Sequence, residues 1–261
     1  MYEAQRGIVE DDQRQKSRVD KKMTQIKRAV VVDDDGWGHV VGGKTRKATS
    51  KKTWGPTIGD FTIGEYKYAK KALKEVTVEY EKCKKAWDES EACNDLKEWL
   101  KRLEVRVENV VVLGMGSFQH AESKHARSAM TQLAGLETLL EALGIEGVQI
   151  IQQDPAFTEL DRQFLALRKQ KVVADPDAFS EVKESTLVYA IHCYPDVYEK
   201  TRAAAIPAVM IGNNLSRKDD KDFVEKYPDL QKLYDGLDLA FAMPQFREDF
   251  NDTVVFTRKG E

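Results

Sequence analysis

Cysteine is scarce in this 261-residue chain, which holds only Cys83, Cys93 and Cys193. Three scattered thiols exclude a disulfide framework and a four-cysteine zinc site, and they point to a reducing compartment, cytosol or nucleus. Long apolar runs are missing too. Stretches such as residues 110–113 end after a few residues, far short of the roughly 20 needed for a membrane-spanning helix. No apolar signal core follows Met1, where the chain reads YEAQRGIVEDDQRQK, so no membrane association is expected. No Ser-His-Asp constellation or metal motif stands out. His120 and His125 are five apart, a spacing that places them on different sides of a helix and argues against a shared metal.

Charge is what the chain has in abundance: 41 basic and 44 acidic side chains, 33% of all residues. They are unevenly spread. Residues 1–110 carry 24 basic and 20 acidic groups; residues 111–261 carry 17 and 24. The acidic second half argues against nucleic acid as its partner, so any polyanion contact falls to the cluster Lys44, Arg46, Lys47, Lys51 and Lys52. The first 57 residues are poor in large apolar groups, and tracts such as GGKTRKATSKKT cannot offset their own chain entropy. This stretch reads as a flexible charged arm with one short ordered island, VVVDDDGWGHV, at residues 30–40.

From residue 64 a helical rhythm takes over. Tyr66, Ala69, Leu73, Val76, Tyr80, Cys83 and Trp87 recur three and four apart, and Leu96, Leu100 and Leu103 follow after a break near residues 88–90. Two successive helices, a lead-in over 64–104, are expected to pack on the domain that follows. That domain begins near residue 105. Short apolar runs at 109–114, 148–153, 171–174, 186–191, 208–212, 237–243 and 253–257 alternate with helical stretches at 127–143, 159–169 and 218–234. Apolar strands joined by helices predict a doubly wound, mostly parallel Rossmann-like α/β sheet covered on both faces.

In such a sheet, ligands bind outside the carboxyl ends of the strands. Those ends read Gly114-Met115-Gly116-Ser117, Asp154-Pro155, Asp175-Pro176, His192-Cys193-Tyr194-Pro195, Gly212-Asn213-Asn214 and Met243-Pro244. They are expected to form one rim. The glycine turn can bring backbone N–H groups to an anionic or nucleotide ligand, and Asp154 can accept from a ribose hydroxyl. As a dinucleotide fingerprint it is incomplete, because Gln119 holds the third glycine position and Asp154 lies 40 residues past Gly114. A methyl-donor nucleotide tolerates other spacings. His192 is the candidate acid/base; with Cys193 beside it on a strand, one side chain faces the crevice and the other the core.

The ordered series VVVLGMGSF, QDPAFTELDRQFL, TLVYAIHCYPDVYE and VMIGNN, preceded by DDDGWGHV, resembles the SRR1-like (sensitivity to red light reduced) domain family. Two positions depart from its pattern: Asp161 stands where the family has Glu, and Ala-Ile precedes His192-Cys193 in place of Met-Pro. The resemblance implies a regulatory protein, associated with circadian and light signalling, haem-biosynthesis regulation, or cytoskeletal and proteasome-related phenotypes. It supplies no established reaction, cofactor or direct protein partner. The haem link gains nothing from the residues, since the chain has no Cys-Pro dipeptide. The shared strand-end residues make Gly114, Gly116, Ser117, Asp154, Asp161, His192 and Asn213 the candidate site. Two readings stay open: a binding or interaction platform, or a nucleotide- or methyl-donor-binding enzyme or sensor.

Overall fold

The computed structural model describes residues 29–32, 38–41, 60–215 and 220–260. The chain divides into two units, residues 1–52 and residues 53–261. In the first, β1 (Ala29–Val32) and β2 (Gly38–Val41) pair antiparallel, with Val30 opposite Val40. The remainder of the expected arm, residues 33–37 of the acidic-Trp motif included, lies outside the described residues.

The second unit opens on strands where a helix was expected. β3 (Phe61–Ile63) and β4 (Tyr66–Tyr68) form an antiparallel hairpin across Gly64, whose φ of +60° suits a tight turn. Tyr66 and Ala69 therefore do not belong to the helical stripe. The stripe starts at Leu73 with α1 (Leu73–Asp88), and Ser90 then caps α2 (Glu91–Leu100) through its Oγ. Both helices pack on the domain as expected. Trp87 is fully buried, donates its Nε1–H to Thr138 at 2.9 Å, and lies against Phe246 and Phe250.

The sheet follows: β5 (Asn109–Leu113), α3 (Ser123–Ala142), β6 (Gln149–Gln153), α4 (Glu159–Leu167), β7 (Gln170–Val172), a 3-10 turn at Asp177–Glu181, β8 (Thr186–Ala190), α5 (Pro195–Ala204), β9 (Val209–Asn213), α6 (Lys221–Lys226), α7 (Pro228–Asp235), β10 (Leu237–Ala242) and β11 (Thr253–Arg258). Where one helix was expected at 218–234, two short ones stand on either side of Tyr227, because Pro228 has no N–H to continue the first. Residue 218 lies outside the described residues.

The strand order is β10-β11-β9-β8-β5-β6-β7. β5 through β9 run parallel, and β11 alone opposes its neighbours β9 and β10. The doubly wound α/β fold expected from the strand and helix rhythm is therefore present. Its geometry follows from handedness. The chain steps from β5 to β6 to β7 in one direction and from β8 to β9 in the other; right-handed crossovers then place α3 and α4 on one face and α5 on the opposite one. α3 is buried on more than one side, at Ala126, Met130, Leu133, Leu136 and Leu139, since it lies between the sheet and the lead-in helices. Among the described residues no helix is long and apolar enough to cross a membrane.

The same topology sets the rim. β10 runs in the direction of β9, so six strand ends meet on one edge of the sheet. Strand order reverses between β5 and β8, where an open α/β sheet forms its binding crevice.

Candidate functional site

Three clusters of side chains stand at or beneath this rim. The first joins the exits of β5 and β6. Gly114 and Gly116 both have left-handed φ values, +70° and +82°, and turn the chain sharply out of β5. Asp154 ties the turn down: its Oδ2 accepts from the Gly116 N–H at 2.7 Å and its Oδ1 from the Ala156 N–H at 2.6 Å. Burial pushes the Asp154 carboxyl above the usual carboxylate range, and these two N–H groups oppose the shift. The side chain is only partly buried. An ionised carboxylate has about four acceptor sites, and these two bonds occupy two of them.

The second cluster lies beneath the turn and is closed. Asp161 is 0% exposed, and its oxygens accept from the Ser117 hydroxyl at 2.7 Å, the Phe118 N–H at 3.0 Å and the Thr158 N–H at 2.7 Å. Thr158 in turn caps α4 by accepting from the Asp161 N–H. Burial raises the Asp161 carboxyl to about 6 against these donors. Ser117 is itself buried and also accepts from the Gln119 N–H. Ser117 and Asp161 thus hold the loop in shape and do not face the rim.

The third cluster holds His192 and Asn213. His192 adopts a left-handed φ of +56°, a conformation favoured by its N–H bond to the Asn213 Oδ1 at 2.6 Å. His192 is exposed, and its ring nitrogens meet Asn251 and Gln132 rather than residues of the glycine turn. Nε2 donates to the Asn251 carbonyl at 3.0 Å, and Nδ1 lies 3.5 Å from the Gln132 amide, which leaves Nδ1 the acceptor. Asn213 is engaged by His192, the Tyr198 hydroxyl and the Tyr234 hydroxyl. Cys193 takes the core side: its Sγ donates to the Leu113 carbonyl, and burial pushes its thiol well up. A Cβ on Gly114 would stand 2.6 Å from that sulfur, so the glycine also admits the β8 exit beside the β5 exit.

The structure therefore brings Gly114, Gly116 and Asp154 together, buries Ser117 with Asp161 below them, and sets His192 with Asn213 apart. It also adds residues that periodicity concealed. The Tyr68 hydroxyl donates to the Ala156 carbonyl at 2.9 Å, the Ala121 N–H to the Lys67 carbonyl, and Gln119 exchanges two hydrogen bonds with Ala69. The β3–β4 hairpin is thereby fastened over the β6 exit. A glycine between two short aromatic alternations, FTI and YKY, is the signal for it. The histidine expectation also needs correcting. His120 precedes α3 and its ring meets that of His125 edge-on at 4.6 Å, so the two are neighbours. Among the described residues, no group of three or more His, Cys, Asp or Glu side chains is placed to hold a metal.

No curated protein matches this chain. Among solved structures, a chain of the complex built on the Haloferax volcanii Trm112 methyltransferase activator is 11% identical, with 73% of this chain and 100% of that one covered and a TM-score of 0.35. Human N-acetylserotonin methyltransferase in complex with SAM is 12% identical, with 73% and 57% covered and a TM-score of 0.37. A Thermoplasma acidophilum protein, 1320, is 12% identical, with 66% and 99% covered and a TM-score of 0.33. The family comparison is more specific. The SRR1 domain matches residues 70–257, from the lead-in helices through β11 and across every strand exit described above. By that match the chain belongs to the SRR1 domain family.

Proposed function

We propose that this chain is a regulatory protein whose α/β domain is a binding platform, with its ligand site at the rim around Gly114, Gly116 and Asp154. One observation carries this reading. Among the candidate ionisable groups, Asp154 alone combines partial exposure, fixed orientation and spare acceptor capacity. Asp161, Cys193 and His192 spend their polar atoms on internal hydrogen bonds. That division suits recognition better than proton transfer. The SRR1 resemblance connects such a platform with circadian and light signalling or haem-biosynthesis regulation. The charged stretch at 1–57 then recruits partners or sets a cytoplasmic or nuclear location, and deleting it should abolish the cellular phenotype while leaving 58–261 folded.

A second reading, a nucleotide- or methyl-donor-binding enzyme or sensor, is favoured by one feature. Asp154 ends the strand adjacent to the glycine turn, where an acid can take ribose hydroxyls. A thermal-shift screen of nucleotides, methyl donors, haem and phosphosugars tests both. Stabilisation by a ligand, reduced in Asp154→Asn, supports the rim as the site. Turnover of a methyl donor by the purified protein would favour the enzyme. If no ligand in the screen raises the melting temperature, the platform loses its small-molecule site.

A further inference from the structure

Two exposed tyrosines flank this rim. Tyr66, 42% exposed, comes from the hairpin and lies on the β6 side; Tyr194, 75% exposed, follows Cys193 on the β8 side. The β5 exit, with Gly114, lies between them. The placement of Tyr66 follows from its strand. Tyr66 and Tyr68 are two residues apart and share a face of β4, with ring centroids 6.4 Å apart. Tyr68 is bonded to the Ala156 carbonyl, and the Ala156 N–H is bonded to Asp154. Tyr194 is placed by its neighbour, since the Cys193 sulfur packs against Gly114. Neither tyrosine hydroxyl has a hydrogen-bond partner among the described residues. Isolated exposed aromatics are ordinary. These two stand on opposite sides of the β5 exit, because β5 lies between β6 and β8 in the sheet; burial, and next the Asp154 carboxylate, raise the Tyr66 hydroxyl.

Resting on the rim as the ligand site, we infer that Tyr66 and Tyr194 clamp a planar ring while Asp154 accepts from a vicinal diol, so that the ligand is a nucleoside or carries one. Aromatic faces stack on any base, which provides affinity with little choice among bases. A partly buried carboxylate that accepts only two hydrogen bonds from the protein provides the choice for ribose. In the Gly114–Gly116 turn the single side chain, that of Met115, is buried, so the exposed Gly114 offers its backbone to the sugar.

Adenosine is the probe, titrated into the full chain and followed by calorimetry and by saturation-transfer NMR on the base protons. Wild type should bind it, and 2′-deoxyadenosine should bind more weakly. Tyr66→Ala and Tyr194→Ala should each weaken adenosine by about five- to 150-fold, the range that loss of one base–aromatic stack produces. Tyr66→Phe and Tyr194→Phe, which keep the ring and lose only a hydroxyl with no partner among the described residues, should bind as wild type does. All four variants should melt near the wild-type temperature, separating a binding effect from a folding one. Adenosine affinity that is unchanged in both alanine variants overturns the clamp. Absence of adenosine binding at millimolar concentration overturns it as well. The rim reading survives either result if another ligand from the screen binds and is weakened by Asp154→Asn, and it falls with the clamp if none does.

Discussion

The Asp161 carboxylate accepts the Ser117 hydroxyl at 2.7 Å in a site sealed from solvent, joining the loop that leaves β5 to the first turn of α4. The glycine turn above owes its shape to this bond and to the Phe118 and Thr158 N–H groups on the same carboxylate. Asp161→Asn turns an NH2 toward those donors. Loss of a buried, hydrogen-bonded charge should cost roughly 3 kcal/mol or more. Ser117→Ala should cost less, about 1–3 kcal/mol. Urea unfolding of the two variants checks both values.

The same carboxyl sets a pH dependence. Burial holds it at about 6 in the folded protein, whereas an unfolded aspartate titrates near 3.9. Between those values the native state binds more protons than the unfolded chain, so stability falls as pH rises. The contribution is largest below about pH 4 and is lost by the time pH passes through about 6. Wild-type urea midpoints measured from pH 4 to 7 should carry this downward slope, and Asp161→Asn should flatten it. A slope unchanged by the substitution would assign it to another group.

Gly114 and Cys193 form a second coupled pair. Gly114→Ala faces a left-handed φ of +70° and a sulfur 2.6 Å from the new Cβ. The first costs about 1–2 kcal/mol and the second about 1–3 kcal/mol. Adding Cys193→Ala removes the sulfur and leaves the backbone cost. A double-mutant cycle should therefore show a favourable coupling, within the roughly 0.5–3 kcal/mol found for residues in contact. Strict additivity would show that the two exits are not packed as described.

The lead-in helices are part of the domain. Trp87→Ala removes a fully buried ring, its contacts with Phe246 and Phe250, and the bond to Thr138. A loss of about 3–5 kcal/mol is expected. A chain that begins at residue 105 should lose cooperative unfolding, while one that begins at residue 58 should keep it. Differential scanning calorimetry distinguishes them.

Much of this architecture was legible in the residues, and the misreadings have physical causes. The β5, β8, β9 and β11 runs stand out because strands buried on both faces are largely apolar, and the α3 leucines because a covered helix repeats every three to four residues. The β3–β4 hairpin did not stand out, since Tyr66 and Ala69 happen to fall in register with Leu73 and the helix beyond. At the site, Gly114, Gly116 and Asp154 could be found from their strand ends. Asp161 resembles Asp154 in sequence, and only packing shows that one is sealed under the loop and the other is open. Tyr66 and Tyr194 could not be linked, because 128 positions separate them and only the strand reversal brings their loops to one edge.

The central claim is that the rim beside the β5–β8 reversal holds a ligand through Asp154. Calorimetric titration of adenosine into wild type and Asp154→Asn, with circular dichroism to confirm that both are folded, tests it most directly. Saturable binding to wild type, weakened at least about tenfold in Asp154→Asn as expected for loss of a hydrogen bond to a charged group, is the predicted result. Equal affinity in the two folded proteins would contradict it.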